Sequence, residues 1–161
     1  MIKNGIIIDT NIFSAVFNQQ DQKHPMFKSI YELIYSTPKL RSVLVYGGTT
    51  YLKEMGSGRN GQYLRVILEL NKKGRARNIE TGLVDARELA VKKLCSDKDF
   101  DDPHIVALSV LSKCPMICTD DARSNAYLKQ KEFYDKGCKV PIIYSSSSHT
   151  RATKLLNRYY P

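Results

Sequence analysis

Twice in this chain an apolar run stops at an aspartate and a helical pattern begins at once. Residues 5–9, GIIID, lead into TNIFSAVF; residues 115–121, PMICTDD, lead into ARSNAY. A short apolar run bounded by turn residues predicts a buried strand, of the kind that parallel sheets use under helical cover. Parallel strands finish on one edge, so carboxylates at their ends converge there, where ligands gather in open α/β sheets. Everything else in the chain is arranged around those two strand ends.

The second of them has an acidic prelude, DKDFDDPHIVALSVLSKCPMICTDDARSN at 97–125. Proline is favoured at the first helical position, so Asp102 before Pro103 reads as an N-cap. Ile105, Val106, Leu108, Ser109 and Leu111 then recur at helical spacing, which predicts an amphipathic helix.

The same reading runs along the rest of the chain. TNIFSAVF predicts a short helix, with Ile12, Phe13, Val16 and Phe17 at helical spacing, and residues 24–36 predict a second through Phe27, Ile30, Leu33 and Ile34. SVLVY (42–46) is a strand, and GGTTYLKEM turns from it into a helix that carries Glu54. Gly47-Gly48 permits a tight turn there, but the spacings of phosphate-cradling glycine loops are absent. After the break GSGRNG (56–61), a helix runs through Tyr63, Val66, Ile67 and Leu70, and residues 75–80 form a short strand or an extended loop. Residues 83–94 predict a helix with Leu83, Ala86, Leu89, Ala90 and Leu94 inward. A helix from Asp121 to about Tyr134, a strand over 140–145 and a final helix over 149–157 complete the pattern. Alternating strands and helices predict a three-layer α/β/α sandwich on a mainly parallel sheet, and 161 residues make one domain, 1–161.

Charge is distributed unevenly. Residues 79–121 hold nine acidic and five basic side chains, whereas 41–78 and 122–161 each hold eight basic and two acidic. A negative centre between basic flanks suits a cation-filled site approached by a polyanion, although solvated surface lysine gives the same totals. No apolar run reaches the length of a membrane span, and Lys3-Asn4 lead directly into a strand. Cys95, Cys114, Cys118 and Cys138 lack zinc-ligand spacing, which predicts reduced thiols in a cytoplasmic protein.

Asp9, Glu54, Asp102 and Asp121 stand out. Three of them precede helices, and taken singly each aspartate is explained as an N-cap. Taken together they form a cluster on one sheet edge. Two carboxylates about 4 Å apart repel by roughly 4 kcal/mol at an effective dielectric near 20, so such a cluster takes up protons or binds cations. Oxygen ligands alone favour Mg2+ or Mn2+ over zinc, and the chemistry open to such a site is metal-assisted hydrolysis at a phosphate. His104 reads as a packing or surface histidine rather than a general base, and His24 and His149 carry no assignment. Asn11 either orients a water near Asp9 or satisfies backbone donors at the helix start. Ser14 and Ser124 are ambiguous, and the ten tyrosines divide between core support and base stacking.

Four segments in this order resemble the PIN domain, a small magnesium-dependent nuclease fold of toxin ribonucleases and RNA-processing enzymes. IIIDTNIFSAVF is similar to its opening strand with a metal aspartate, Asp9, and GGTTYLKEM supplies its helix glutamate, Glu54. DDPHIVALSVL resembles its D-x-x-I-x-A-L-A helix, with Asp102 in the acidic place, and ICTDDAR its T-x-D strand end, with Asp121 beside Thr119. Asp101 and Asp120 are the neighbouring alternatives. The resemblance covers nearly the whole chain and implies an endoribonuclease holding one or two Mg2+ or Mn2+ ions on these four carboxylates. Arg59, Arg65, Arg75, Arg77 and Arg123 are the expected contacts to the RNA backbone. The partners expected are RNA, single-stranded or structured, an antitoxin protein, and a second copy in a homodimer. Rival readings are a silent PIN-like module that binds RNA or protein, an RNA-processing or DNA nuclease, and a haloacid-dehalogenase phosphatase. The last requires a second aspartate where this chain has Asn11.

Overall fold

A computed structural model describes residues 2–35, 42–57 and 61–161. Its centre is a sheet of five parallel strands: β1 (Gly5–Ile8), β2 (Val43–Gly47), β3 (Ala76–Ile79), β4 (Met116–Cys118) and β5 (Ile142–Tyr144). Their order across the sheet is β3-β2-β1-β4-β5. Ile6, Ile7 and Ile8 pair with Met116, Ile117 and Cys118, and all six are buried. The expected three-layer architecture is present, and the sheet is wholly rather than mainly parallel. From β1 the chain moves outward to β2 and β3, then returns to the other side of β1 to make β4 and β5. The order therefore reverses between β1 and β4, and a crevice opens beyond their carboxyl ends.

Helices cover both faces. They are α1 (Thr10–Phe17), α2 (His24–Tyr35), α3 (Thr49–Gly56), α4 (Gly61–Lys72), α5 (Thr81–Leu94), α6 (Pro103–Ser112), α7 (Ala122–Leu128) and α8 (Ala152–Tyr159). The helix expected from Asp121 to Tyr134 is shorter: α7 stops at Leu128 and a 3-10 turn follows at Lys131–Phe133. A second 3-10 turn, Ser146–Arg151, leads into α8. Among the described residues no helix is long and apolar enough to cross a membrane, and the four cysteines are free thiols.

Two expectations about helix faces are corrected. In α5 the buried residues are Val84, Glu88 and Val91, while Leu83, Leu89 and Leu94 are exposed. Burial of Glu88 is compensated: its carboxylate accepts from Thr50 Oγ1 at 2.9 Å and from Lys92 Nζ at 2.6 Å. In α6 every residue from Pro103 to Val110 is buried, so it is a central helix rather than an amphipathic one.

The turn from β2 into α3 sets where Glu54 stands. Gly47 (φ +147°) and Gly48 (φ +86°) take backbone conformations closed to most side chains, and a Cβ on Gly47 would collide with the Ile79 carbonyl oxygen. Glycine at the N-cap has no side chain to cap α3. Asp85 of α5 does this instead, accepting from Thr49 N at 2.7 Å and Thr49 Oγ1 at 2.6 Å.

Candidate functional site

Where β1 and β4 part, Asp9, Glu54, Asp102 and Asp121 line one cavity of about 520 Å3, together with Asn11 and Tyr63. Each reaches it from a different element: the end of β1, the middle of α3, the start of α6 and the start of α7. The four residues expected from the sequence are thus brought together.

Capping explains one of the three aspartates. Asp121 accepts from Arg123 N at 2.9 Å and caps α7. Asp9 and Asp102 occupy the N-cap positions of α1 and α6, yet neither side chain makes a capping hydrogen bond. Asp9 Oδ2 accepts instead from Thr119 Oγ1 at 2.7 Å and Asn11 Nδ2 at 3.1 Å. Asp102 accepts from the hydroxyl of Ser124, which is buried on α7. Asn11 accordingly orients Asp9 and does not serve the helix backbone.

Burial and crowding shape the electrostatics. Asp9 is 6% exposed; burial first, and then the charge of Asp102, push its carboxyl from 3.8 up to about 6. Asp102 is also raised, by burial against the opposing Ser124 hydrogen bond, with Asp101 and Glu54 adding to it. Glu54 goes the other way. Burial would raise it, but His104 and the Thr10 hydroxyl, 2.7 Å from Oε2, bring it below its ordinary value. The Arg123 guanidinium holds Asp121 low.

His104, read from the sequence as a packing or surface residue, is fully buried. Its Nε2 lies 3.4 Å from Glu54 Oε2, in a geometry that gives charge attraction rather than an aligned hydrogen bond. Burial would lower its pKa; Glu54, then Asp102 and Glu88, more than offset this and raise it. It stands behind Glu54, does not line the cavity, and fixes that side chain from below.

The two neighbouring aspartates separate cleanly. Asp120 turns away, accepting from Ser146 N at 2.7 Å and pairing with Lys23 at 3.1 Å. Asp101 comes close to two of the four: carboxylate oxygens of Asp101, Asp102 and Asp121 lie within 4.8 Å of one another, and this close group includes neither Asp9 nor Glu54. No protein-family model, curated protein or solved structure matches this chain. The functional reading therefore stands on the residues themselves.

The donor set suits a hard divalent cation. Its ligands would be carboxylate oxygens, two of which, Asp9 and Asp102, are raised by burial and crowding that a cation would relieve. Among the expected nucleic-acid contacts, Arg123 is at the cavity mouth, 3.2 Å from Asp121 and 3.8 Å from Asp101. Arg65 is exposed on α4 and Arg77 exposed on β3. Arg75 stands just before β3, at the opposite edge of the sheet, and donates to the Ile34 carbonyl at 2.9 Å. Arg59 lies outside the described residues. Sequence reasoning did not single out Thr10, and no local pattern marks it; its role depends on α3 meeting α1.

Proposed function

We propose that the chain is a metal-dependent nuclease that hydrolyses phosphodiester bonds, with RNA as its substrate. The observation that carries this reading is that Asp9 and Asp102 stand at helix starts and yet leave the helices uncapped, facing a shared cavity with Glu54 and Asp121. Asp9, Glu54, Asp102 and Asp121 would hold Mg2+ or Mn2+, with Asp101 beside them. A divalent cation there supplies charge neutralisation at a phosphate and lowers the pKa of an attacking water.

The chain's own residues do the positioning. Thr119 and Asn11 orient Asp9, Ser124 orients Asp102, and Thr10 with His104 orients Glu54. Tyr63, packed 4.7 Å from the Phe13 ring, gives the cavity an aromatic wall on which an unpaired base can stack. Arg123, 3.2 Å from Asp121, would hold the substrate backbone, a contact that adds affinity without sequence choice. A cytoplasmic location and an antitoxin partner that sets an arginine among the carboxylates belong to the same reading.

The test is cleavage of an end-labelled single-stranded RNA by the purified chain. Cleavage should require Mn2+ or Mg2+ and should be lost in Asp9→Asn and Asp102→Asn. Equal cleavage by wild type in excess chelator, or by either variant, overturns the reading.

A further inference from the structure

At the amino edge of the sheet, opposite the carboxylates, the segments entering β1, β4 and β5 meet the last turns of α6 and α8. They enclose a cavity of about 760 Å3, within the range of small-molecule sites. Lys3, Lys113, Lys139 and Arg158 stand around it, and no acidic residue lines it. None of the four pairs with a described carboxylate. Val110, Val140 and Tyr159 provide apolar wall. The carbonyl ends of α6 and α8 account for Lys113 and Arg158, but Lys3 and Lys139 belong to no helix.

One detail of the wall is not explained by the fold. Lys113 ends α6 in the left-handed conformation, φ 54° and ψ 38°, which costs a lysine about 1–2 kcal/mol and a glycine almost nothing. Glycine would end the helix better; lysine adds a cation to the cavity.

We propose that this cavity binds a small phosphorylated ligand with an aromatic body, a nucleoside triphosphate by chemical class. The four cations meet the phosphates, and Tyr159 with the two valines covers the base. Concavity and volume favour a small ligand over a continuous RNA strand, which a surface groove would suit better.

The experiment is calorimetric titration of the full chain with ATP in EDTA at fixed ionic strength, beside inorganic triphosphate and adenosine. ATP should bind, triphosphate more weakly, and adenosine not measurably. Lys113→Gly should weaken ATP binding at least fivefold while the melting temperature holds or rises, because glycine relieves the left-handed strain. Lys139→Gln, at an exposed lysine of the cavity wall, should weaken binding without loss of stability. Absence of ATP binding, or unchanged affinity in both variants, overturns the site. Triphosphate binding as tightly as ATP removes the aromatic part of the proposal. A single-stranded RNA that displaces ATP and loses affinity in the same two variants makes this face an RNA surface instead.

Discussion

Thr119 Oγ1 donates to Asp9 Oδ2 at 2.7 Å across 110 residues of sequence. The same hydroxyl oxygen accepts from Asp121 N at 3.1 Å and Asn11 Nδ2 at 3.2 Å. One side chain thus joins the ends of β1 and β4 at the point where the strand order reverses, and sets two of the four cavity carboxylates. Thr119→Val keeps the shape and removes the hydroxyl. It should cost about 1–3 kcal/mol in denaturant unfolding, because it strips buried polar groups of their partner. Asp9 should titrate still higher, since the Thr119 hydrogen bond lowers it, and Thr119→Ser should restore most of both. A carbon-detected NMR titration that leaves Asp9 unmoved would refute this account.

Asp9 makes stability depend on pH in a defined direction. Its carboxyl is raised from 3.8 to about 6 in the fold. Between those values the folded chain keeps a proton that the unfolded chain has released, so stability falls as pH rises through the window. The loss approaches 3 kcal/mol by order of magnitude. In chelator, Asp9→Asn should therefore be more stable than wild type at pH 7 and no more stable at pH 4. Adding Mn2+ should narrow the gap at pH 7 by stabilising wild type alone. Melting curves at the two pH values, with and without the ion, check each arm.

Capping geometry separates Asp102 from Asp121. Asp102 makes no capping bond, so Asp102→Asn should leave the melting temperature unchanged or raise it slightly as crowding falls, while cleavage collapses. Asp121 does cap α7, and Asp121→Ala should lose about 1 kcal/mol. Asp121→Asn should recover that stability without recovering activity. If Asp102→Asn unfolds the chain, its side chain serves the helix after all.

Most of the element order, the parallel sheet and the convergence of the carboxylates were legible in the sequence because they rest on local signals. Ile6–Ile8 before Asp9, Pro103 after Asp102 and Ala122 after Asp121 each mark a boundary by their own chemistry. The faces of α5 were not legible. Glu88 with Lys92 one turn on looks like a solvated pair, and only the Thr50 hydroxyl of a separate helix makes its burial tolerable. The direction of Asp120 was equally hidden, since Ser146 and Lys23 hold it from distant parts of the chain. His104 could be placed on a helix but not behind Glu54. That contact exists because α6 is buried on every side, which its own residues did not announce.

Arg123 already holds a cation's place at the cavity. Its side chain is 67% exposed, and the guanidinium pairs with Asp121 and Asp101, keeping Asp121 low. A divalent ion entering the cluster competes with that charge, whereas an arriving phosphate is attracted by it. Arg123→Gln should therefore separate the two ligands. Mn2+ affinity should rise severalfold at low salt, because a competing positive charge is gone. RNA affinity should fall, and the slope of its logarithm against log salt should shrink by about 1, the loss of one phosphate contact. Calorimetry with Mn2+ and RNA binding across a salt series measure these independently. Weaker Mn2+ binding in the variant would mean that Arg123 serves chiefly to position Asp121. An unchanged salt slope would take it out of the path of the substrate.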